Sequence, residues 1–240
     1  MSVDRSNPDA RTRLIEATIR LLEREGPSEV KARSVTSEAG VSTMGVYTHF
    51  GGVPELLQAV AEEGLRRLVA AFESVPITDD PLADLCALSL ACRDVARSNP
   101  HLYDLMFGLS IHGRYGPSRG PATPTANGHS PIFEGAYSHL LGACTRLVET
   151  KCIRKTEPSR VARQLWGAVH GFVMLELAGQ FADVADPPAE VLLPMCSNVV
   201  IGLGAEREKV ESSTGRVLAE WVRSTGPCGP KARKGRAKQG

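Results

Sequence analysis

The sequence predicts an all-α protein: a small N-terminal three-helix head joined to a larger antiparallel helical body. Three observations predict it. Apolar residues recur at helical spacing along most of the chain, proline and glycine punctuate the ends of those runs, and no stretch alternates polar with apolar as a half-buried strand would.

Asn7-Pro8 offers a helix cap followed by proline at the first helical position. Leu14, Thr18 and Leu21 then lie beside Ile15, Ile19 and Leu22 as two adjacent stripes, and Gly26-Pro27 ends the helix. A short helix runs from about Lys31 to Ala39, Gly40 ends it, Ser42 caps the next, and Phe50-Gly51-Gly52 closes that one. Pro54 opens a long helix with Leu57, Val60, Ala61, Leu65, Leu68 and Phe72 on one face, ending near Pro76.

Longer helices follow. Pro81 to Ser98 repeats Leu82, Leu85, Ser89, Cys92 and Val95, with Asp79 and Asp80 complementing its start. Pro100 to about Phe107 is short, and residues 108–131, rich in Gly, Pro, Ser and Thr, read as a flexible surface loop. Helical spacing returns at Phe133, Tyr137, Leu140, Cys144 and Leu147. Pro158 starts a helix reaching about Ala185, Pro187-Pro188 starts one reaching about Gly204, and a last helix near Thr214–Arg223 carries Val217, Leu218 and Trp221. The expected organisation is a head over residues 1–53, a body over 54–225 and a disordered basic tail over 226–240.

The 240 residues carry 28 Lys+Arg and 27 Asp+Glu, a formal charge of +1. Lys231, Arg233, Lys234, Arg236 and Lys238 supply five positive charges, so the rest sums to +1 − 5 = −4. Whole-chain charge therefore does not decide whether the partner is a polyanion. The apolar segment Leu165–Leu177 is too short to span a membrane and is cut by His170 and Glu176, and the N-terminus lacks the apolar stretch of a signal peptide. A cytoplasmic protein without a membrane partner is expected. Six cysteines (86, 92, 144, 152, 196, 228) show no CxxC, and burial is the default for Cys86 and Cys92. His101, His112, His129 and His139 lack the spacing of a metal site, so no metal and no cofactor are expected.

The informative stretch is Lys31 to Phe50, KARSVTSEAGVSTMGVYTHF. A short helix, a turn at Gly40 and a second helix make a helix-turn-helix. Glycine suits the turn because it adopts the left-handed conformation without steric cost. Val35 and Ala39 can pack against Val46 and Phe50, which leaves Thr43, Met44, Tyr47 and Thr48 on the other face. That face is mostly small and polar, and it suits a DNA major groove better than a core.

At this point the chain resembles the TetR family of transcriptional repressors. The resemblance spans about residues 10–60 and rests on GVSTMGVYTHFGG with the helices before and after it. It implies that Ser42, Thr43 and Met44 lie at the tip of a recognition helix, facing base edges and backbone. It places Tyr47 and His49 on phosphates, and Lys31 and Arg33 beside the backbone. Phosphate contacts position such a protein, and the tip residues specify sequence. Two departures stand out: Val53 replaces a lysine usual in the family, and Thr36 replaces a small alanine. Residues 1–50 balance seven Lys/Arg against seven Asp/Glu, so modest intrinsic affinity and reliance on a dimer are expected.

The second half is similar to the family more loosely. LWGAVHGFVMLELAG (165–179) resembles a Trp-x-x-x-His-Gly signature of one subgroup of regulatory domains, carried by Trp166, His170 and Gly171. The resemblance also implies a four-helix homodimer bundle, here from about 158–185 and 188–204, with Gly167, Gly171, Gly202 and Gly204 permitting close approach. A two-fold dimer sets two recognition helices about 34 Å apart on a near-palindromic operator in double-stranded DNA. A small-molecule effector is expected in the 80–180 region, with His101, Tyr103, Phe107, Phe133, Tyr137, Trp166 and His170 as pocket candidates. Core packing explains the same spacing, and for His170, Trp166 and Phe172 a place in the core is the plainer reading.

Rival readings are a helical enzyme or small-molecule-binding protein with a merely structural helix-turn-helix, and a helical adaptor. The chain has no G-x-S-x-G, H-E-x-x-H, P-loop or dinucleotide fingerprint. Its nearest approach, Gly108-Leu-Ser110-Ile-His112, lacks the closing glycine.

Overall fold

Over residues 9–107 and 131–225, which the computed structural model describes, the chain forms ten α-helices and no strand. The head contains α1 (Ala10–Glu25), α2 (Ala32–Ala39) and α3 (Gly45–Phe50). The long α4 (Val53–Glu73) leads to α5 (Pro81–Ser98), α6 (Pro100–Phe107), α7 (Pro131–Glu149), α8 (Pro158–Leu177), α9 (Leu193–Gly202) and α10 (Arg207–Thr225). The expected loop at 108–131 lies outside the described residues except for Pro131, which instead opens α7; the tail from Gly226, the Gly108–His112 segment and Asn7-Pro8 also lie outside them.

Asp9 caps α1, its carboxylate accepting the Thr12 amide at 2.7 Å. Hydrogen bonds from Thr12 hold that carboxyl below its ordinary range. The apolar stripes of α1 are buried as expected, and Thr18 joins them because its hydroxyl donates to the Leu14 carbonyl at 2.8 Å.

Two apolar cores result, and α4 belongs to both. Leu56, Leu57, Ala59 and Val60 pack with α1, α2 and α3, whereas Leu68 and Phe72 pack with α5, α7 and α8. Neighbouring residues of α6 divide the same way: Leu102 lies in the first core and Tyr103 in the second. The α4–α6 approach is close at Gly64, where a Cβ would stand 2.7 Å from Met106 Cγ.

Three helix limits differ from expectation. α8 stops at Leu177 rather than near Ala185, because Ala178 and a left-handed Gly179 (φ 78°) turn the chain after it. The Pro187-Pro188 pair opens a single wide π turn over Pro188–Leu192, and α9 follows. α10 starts at Arg207, seven residues before Thr214, since its first turns are polar and bury only Val210 and Ser213.

α10 folds back onto α5. Ser213 and Arg216 both donate to Asp80, and the Trp221 indole donates to Asp94 at 2.7 Å. Arg93 beside it is 1% exposed, donates to Glu176 on α8 at 2.6–3.0 Å, and stacks over the Trp221 ring at 5.5 Å. Asp94 also lies 3.7 Å from Arg93 and Arg97 lies 3.5 Å from Glu176, so the buried pair sits within a small network of charges.

Cys86, Cys92, Cys144 and Cys196 are buried. Desolvation pushes the thiols of Cys92, Cys144 and Cys196 up to about 12, which makes them poor nucleophiles. No helix among the described residues is long and apolar enough to cross a membrane, and no three His, Cys, Asp or Glu side chains converge as a metal would require.

Candidate nucleic-acid interface and effector cavity

The reading head is fixed by what it buries. Val35, Ala39 and Val46 lie in the first core, and Phe50 packs against its edge. Gly40 is left-handed (φ 63°), and Val41 N–H returns to the Thr36 carbonyl at 3.0 Å, closing α2. Thr36 is 2% exposed, yet its hydroxyl donates to the Ala32 carbonyl at 2.9 Å, so a polar residue is accommodated there. Gly45 permits a second tight contact, because a Cβ would lie 3.0 Å from Val41 Cγ2.

Ser42 does not cap α3 through its side chain. Residues 42–45 instead close a turn in which Gly45 N–H donates to the Ser42 carbonyl at 2.8 Å, and Met44 takes the capping position without a side-chain hydrogen bond. α3 is therefore six residues long. Thr48 donates its hydroxyl to the Met44 carbonyl at 3.0 Å, which leaves the oxygen available only as an acceptor.

All eight expected contact residues are exposed: Lys31, Arg33, Ser42, Thr43, Met44, Tyr47, Thr48 and His49. Met44 at 64% and Tyr47 at 53% are unusually bare for large side chains of a folded head. Lys31 pairs with Glu29 at 3.4 Å. Glu38, an anion on the neighbouring α2, is bound to Arg20 and Arg24 of α1 at 3.0 Å each, which offsets its charge. Sequence reasoning missed Arg11, whose guanidinium lies 5.0 Å from the Phe50 ring centroid and brings a cation beside the end of α3. Nothing in the spacing of α1 signals that contact, which depends on how α1 crosses α3.

The second assembly is aromatic. Tyr103 hydroxyl and His170 Nδ1 are 2.5 Å apart, and the rings stack at 5.7 Å. Trp166 and Phe107 flank His170 at 4.1 and 4.4 Å between centroids. Phe133 and Tyr137 meet the Trp166 ring edge-on at 5.4 and 5.7 Å. Six of the seven expected pocket residues thus come together. His101 does not: two positions before Tyr103, it falls on another face of α6, exposed and beside Gly26.

A cavity of about 20 Å³ adjoins His170 and Trp166. Phe72, Leu88, Ser89, Cys92, Leu140 and Val169 complete its wall; helical spacing marks these positions only as core. His170 Nε2 is buried and has no hydrogen-bond partner among the described residues. Desolvation pulls the imidazole down to about 4, so it is neutral near pH 7, and burial pushes the Tyr103 phenol up. Larger open clefts lie between α4, α5 and α7 (about 770 Å³) and between α5 and α10 (about 820 Å³).

A helix-turn-helix with a bare reading face, carried on a helical body, defines a DNA-binding transcriptional regulator. The chain belongs to the TetR family: residues 14–60 match the bacterial regulatory proteins of the tetR family, and residues 85–197 match the tetracyclin repressor-like C-terminal domain. The matches do not single out the Trp-x-x-x-His-Gly subgroup. The chain is 30% identical over 199 residues to the HTH-type nicotine-responsive transcriptional repressor HdnoR of Paenarthrobacter nicotinovorans, covering 81% of this chain and 94% of that protein. A Rhodococcus sp. RHA1 protein of unknown function superposes with a TM-score of 0.66 at 26% identity, over 84% of this chain and 99% of that one. The fold is shared with RolR in its complex with resorcinol (TM-score 0.57, 16% identity, 86% and 93% covered).

Proposed function

We propose that the chain is a ligand-responsive repressor that grips a near-palindromic operator as a homodimer. The bare face of α3, held rigid by buried Val46 while Met44 and Tyr47 stand in solvent, is the observation that carries the reading. Thr43 and Met44 address base edges with Ser42, while Tyr47, His49, Lys31 and Arg33 address the backbone and Thr48 offers an acceptor. Dimerisation uses α8 and α9, where a Cβ added at Gly167, Gly171 or Gly202 meets nothing within 4 Å and Leu175 is 48% exposed. The effector occupies the aromatic assembly of Tyr103, Phe107, Phe133, Tyr137, Trp166 and His170. The responsiveness of HdnoR to nicotine and the resorcinol complex of RolR support such a ligand class. α6 supplies the link to the head, since Leu102 sits in one core and Tyr103 in the other. An effector that favours one α6 position over another shifts the population between two states of the head.

The test is a gel shift of the purified protein on DNA upstream of its own gene, over a range of salt. Tyr47→Ala should weaken binding to many sequences alike, and Thr43→Ala should relax preference at one base pair by about 1–3 kcal/mol. Normal operator binding by both variants would place the reading surface elsewhere.

A further inference from the structure

We infer that the effector is an uncharged aromatic molecule bearing one hydrogen-bond acceptor, and that this acceptor is met by His170 Nε2–H. The inference rests on the aromatic assembly being the effector site and adds the chemistry of the ligand.

Neutral imidazole has one N–H, and its place follows from the other nitrogen's partner. Tyr103 hydroxyl is 2.5 Å from Nδ1. A phenol is the better donor and an imidazole nitrogen the better acceptor, so Tyr103 donates to Nδ1 and the imidazole hydrogen sits on Nε2. Cys92 Sγ, 4.0 Å from the same phenol oxygen, can donate to it and supports that direction. Nε2–H is then a buried donor without a partner among the described residues, an arrangement that native proteins seldom leave standing. A ligand acceptor satisfies it.

The surroundings fix the rest of the ligand. Among the described residues no Asp, Glu, Lys or Arg lines the cavity beside His170, so a charged molecule would lose its hydration with none of them to meet as a counter-charge. Ser89, the wall's hydroxyl, already donates to the Leu85 carbonyl at 2.9 Å. Rings surround the site: Trp166 and Phe107 stand within 4.4 Å of the His170 centroid, and Phe133 and Tyr137 lie behind Trp166. The present cavity of about 20 Å³ holds roughly one water, so a ligand ring enters by parting these side chains and replaces ring–ring contacts with its own. Such an exchange favours a flat ring over an aliphatic chain.

Acetophenone, α-methylstyrene and benzoate have nearly the same shape and differ in offering a neutral acceptor, no acceptor and a charge. Calorimetric titration into the full-length protein should show acetophenone binding at least tenfold more tightly than either of the others. In His170→Phe that preference should vanish, and in His170→Gln, whose amide N–H reaches a similar point, it should be partly restored. Melting curves of both variants should show that they are folded. Equal binding of acetophenone and α-methylstyrene by the unaltered protein, or a preference that survives in His170→Phe, would overturn the inference. Indole, which offers an N–H and no acceptor, should bind no better than α-methylstyrene, and tighter binding would reverse the assigned proton. Operator gel shifts on the same samples separate the two levels: intact DNA binding without acceptor selectivity sinks the ligand chemistry alone, whereas absent DNA binding sinks the repressor reading.

Discussion

His170 carries the most chemistry of any single residue in the body. Its imidazole titrates at about 4 in the folded chain against an ordinary value of 6.5, because burial disfavours the cation. Between those values the unfolded chain binds the extra proton. Stability is therefore complete above about pH 6.5 and declines as the pH falls toward 4, by up to roughly 3 kcal/mol from this residue. Tyr103 and Cys92, the polar groups against it, stay neutral throughout because burial raises both. Urea unfolding at pH 7 and pH 5 should show the loss, and His170→Phe should reduce the difference between the two pH values. An unchanged difference would mean the imidazole is not buried as described. The reading face behaves oppositely: its side chains are exposed, so Met44→Ala and Tyr47→Ala should each shift stability by less than about 0.5 kcal/mol.

Among the elements, α6 is short yet joined to everything that matters. Asn99 caps it, accepting the Leu102 amide at 3.0 Å, and donates its own amide to the Ile19 carbonyl of α1 at 3.3 Å. Asn99→Ala removes both bonds and should cost about 1–3 kcal/mol. It should also blunt effector-driven release from DNA while leaving effector affinity nearly unchanged, as a dose–response titration with operator fluorescence would show. Full release in the variant would mean that α6 is not the link. The sequence makes such elements legible unevenly. Gly40, Gly51 and the Pro81 and Pro158 starts mark helix ends because their chemistry is local. The start of α10 is hard to read because Arg207–Ser212 holds a single apolar residue, Val210, and so offers no apolar stripe to mark it. His101 and Tyr103 look equivalent as residue types, and only the angle between their helix positions separates the exposed one from the buried one. Arg11 over Phe50 and Arg93 beneath Glu176 arise from helix crossings that no spacing encodes.

At the scale of the whole molecule, the near-neutral charge means that the proposed two-fold engagement should supply much of the operator affinity. Leu175→Glu places a carboxylate on the exposed face of α8 and should convert the protein to monomer in light scattering. Operator affinity should fall by about 100-fold or more as the paired contact is lost. Monomers that retain full affinity would exclude α8 from the interface. Deleting residues 226–240 removes five of the 28 basic side chains and should lower nonspecific affinity more than operator affinity, measured by filter binding at two salt concentrations. Loss of operator selectivity would instead place useful charge in the tail.

α4 passes through both apolar cores, with Leu56 and Val60 in one and Leu68 and Phe72 in the other. A helix that frays in the middle forfeits burial at both ends, so head and body melt as a single cooperative unit rather than one after the other. Calorimetry should record one endotherm. Hydrogen exchange should then show amides of α1 slowing when an effector fills the aromatic assembly of the body, even before any DNA is present.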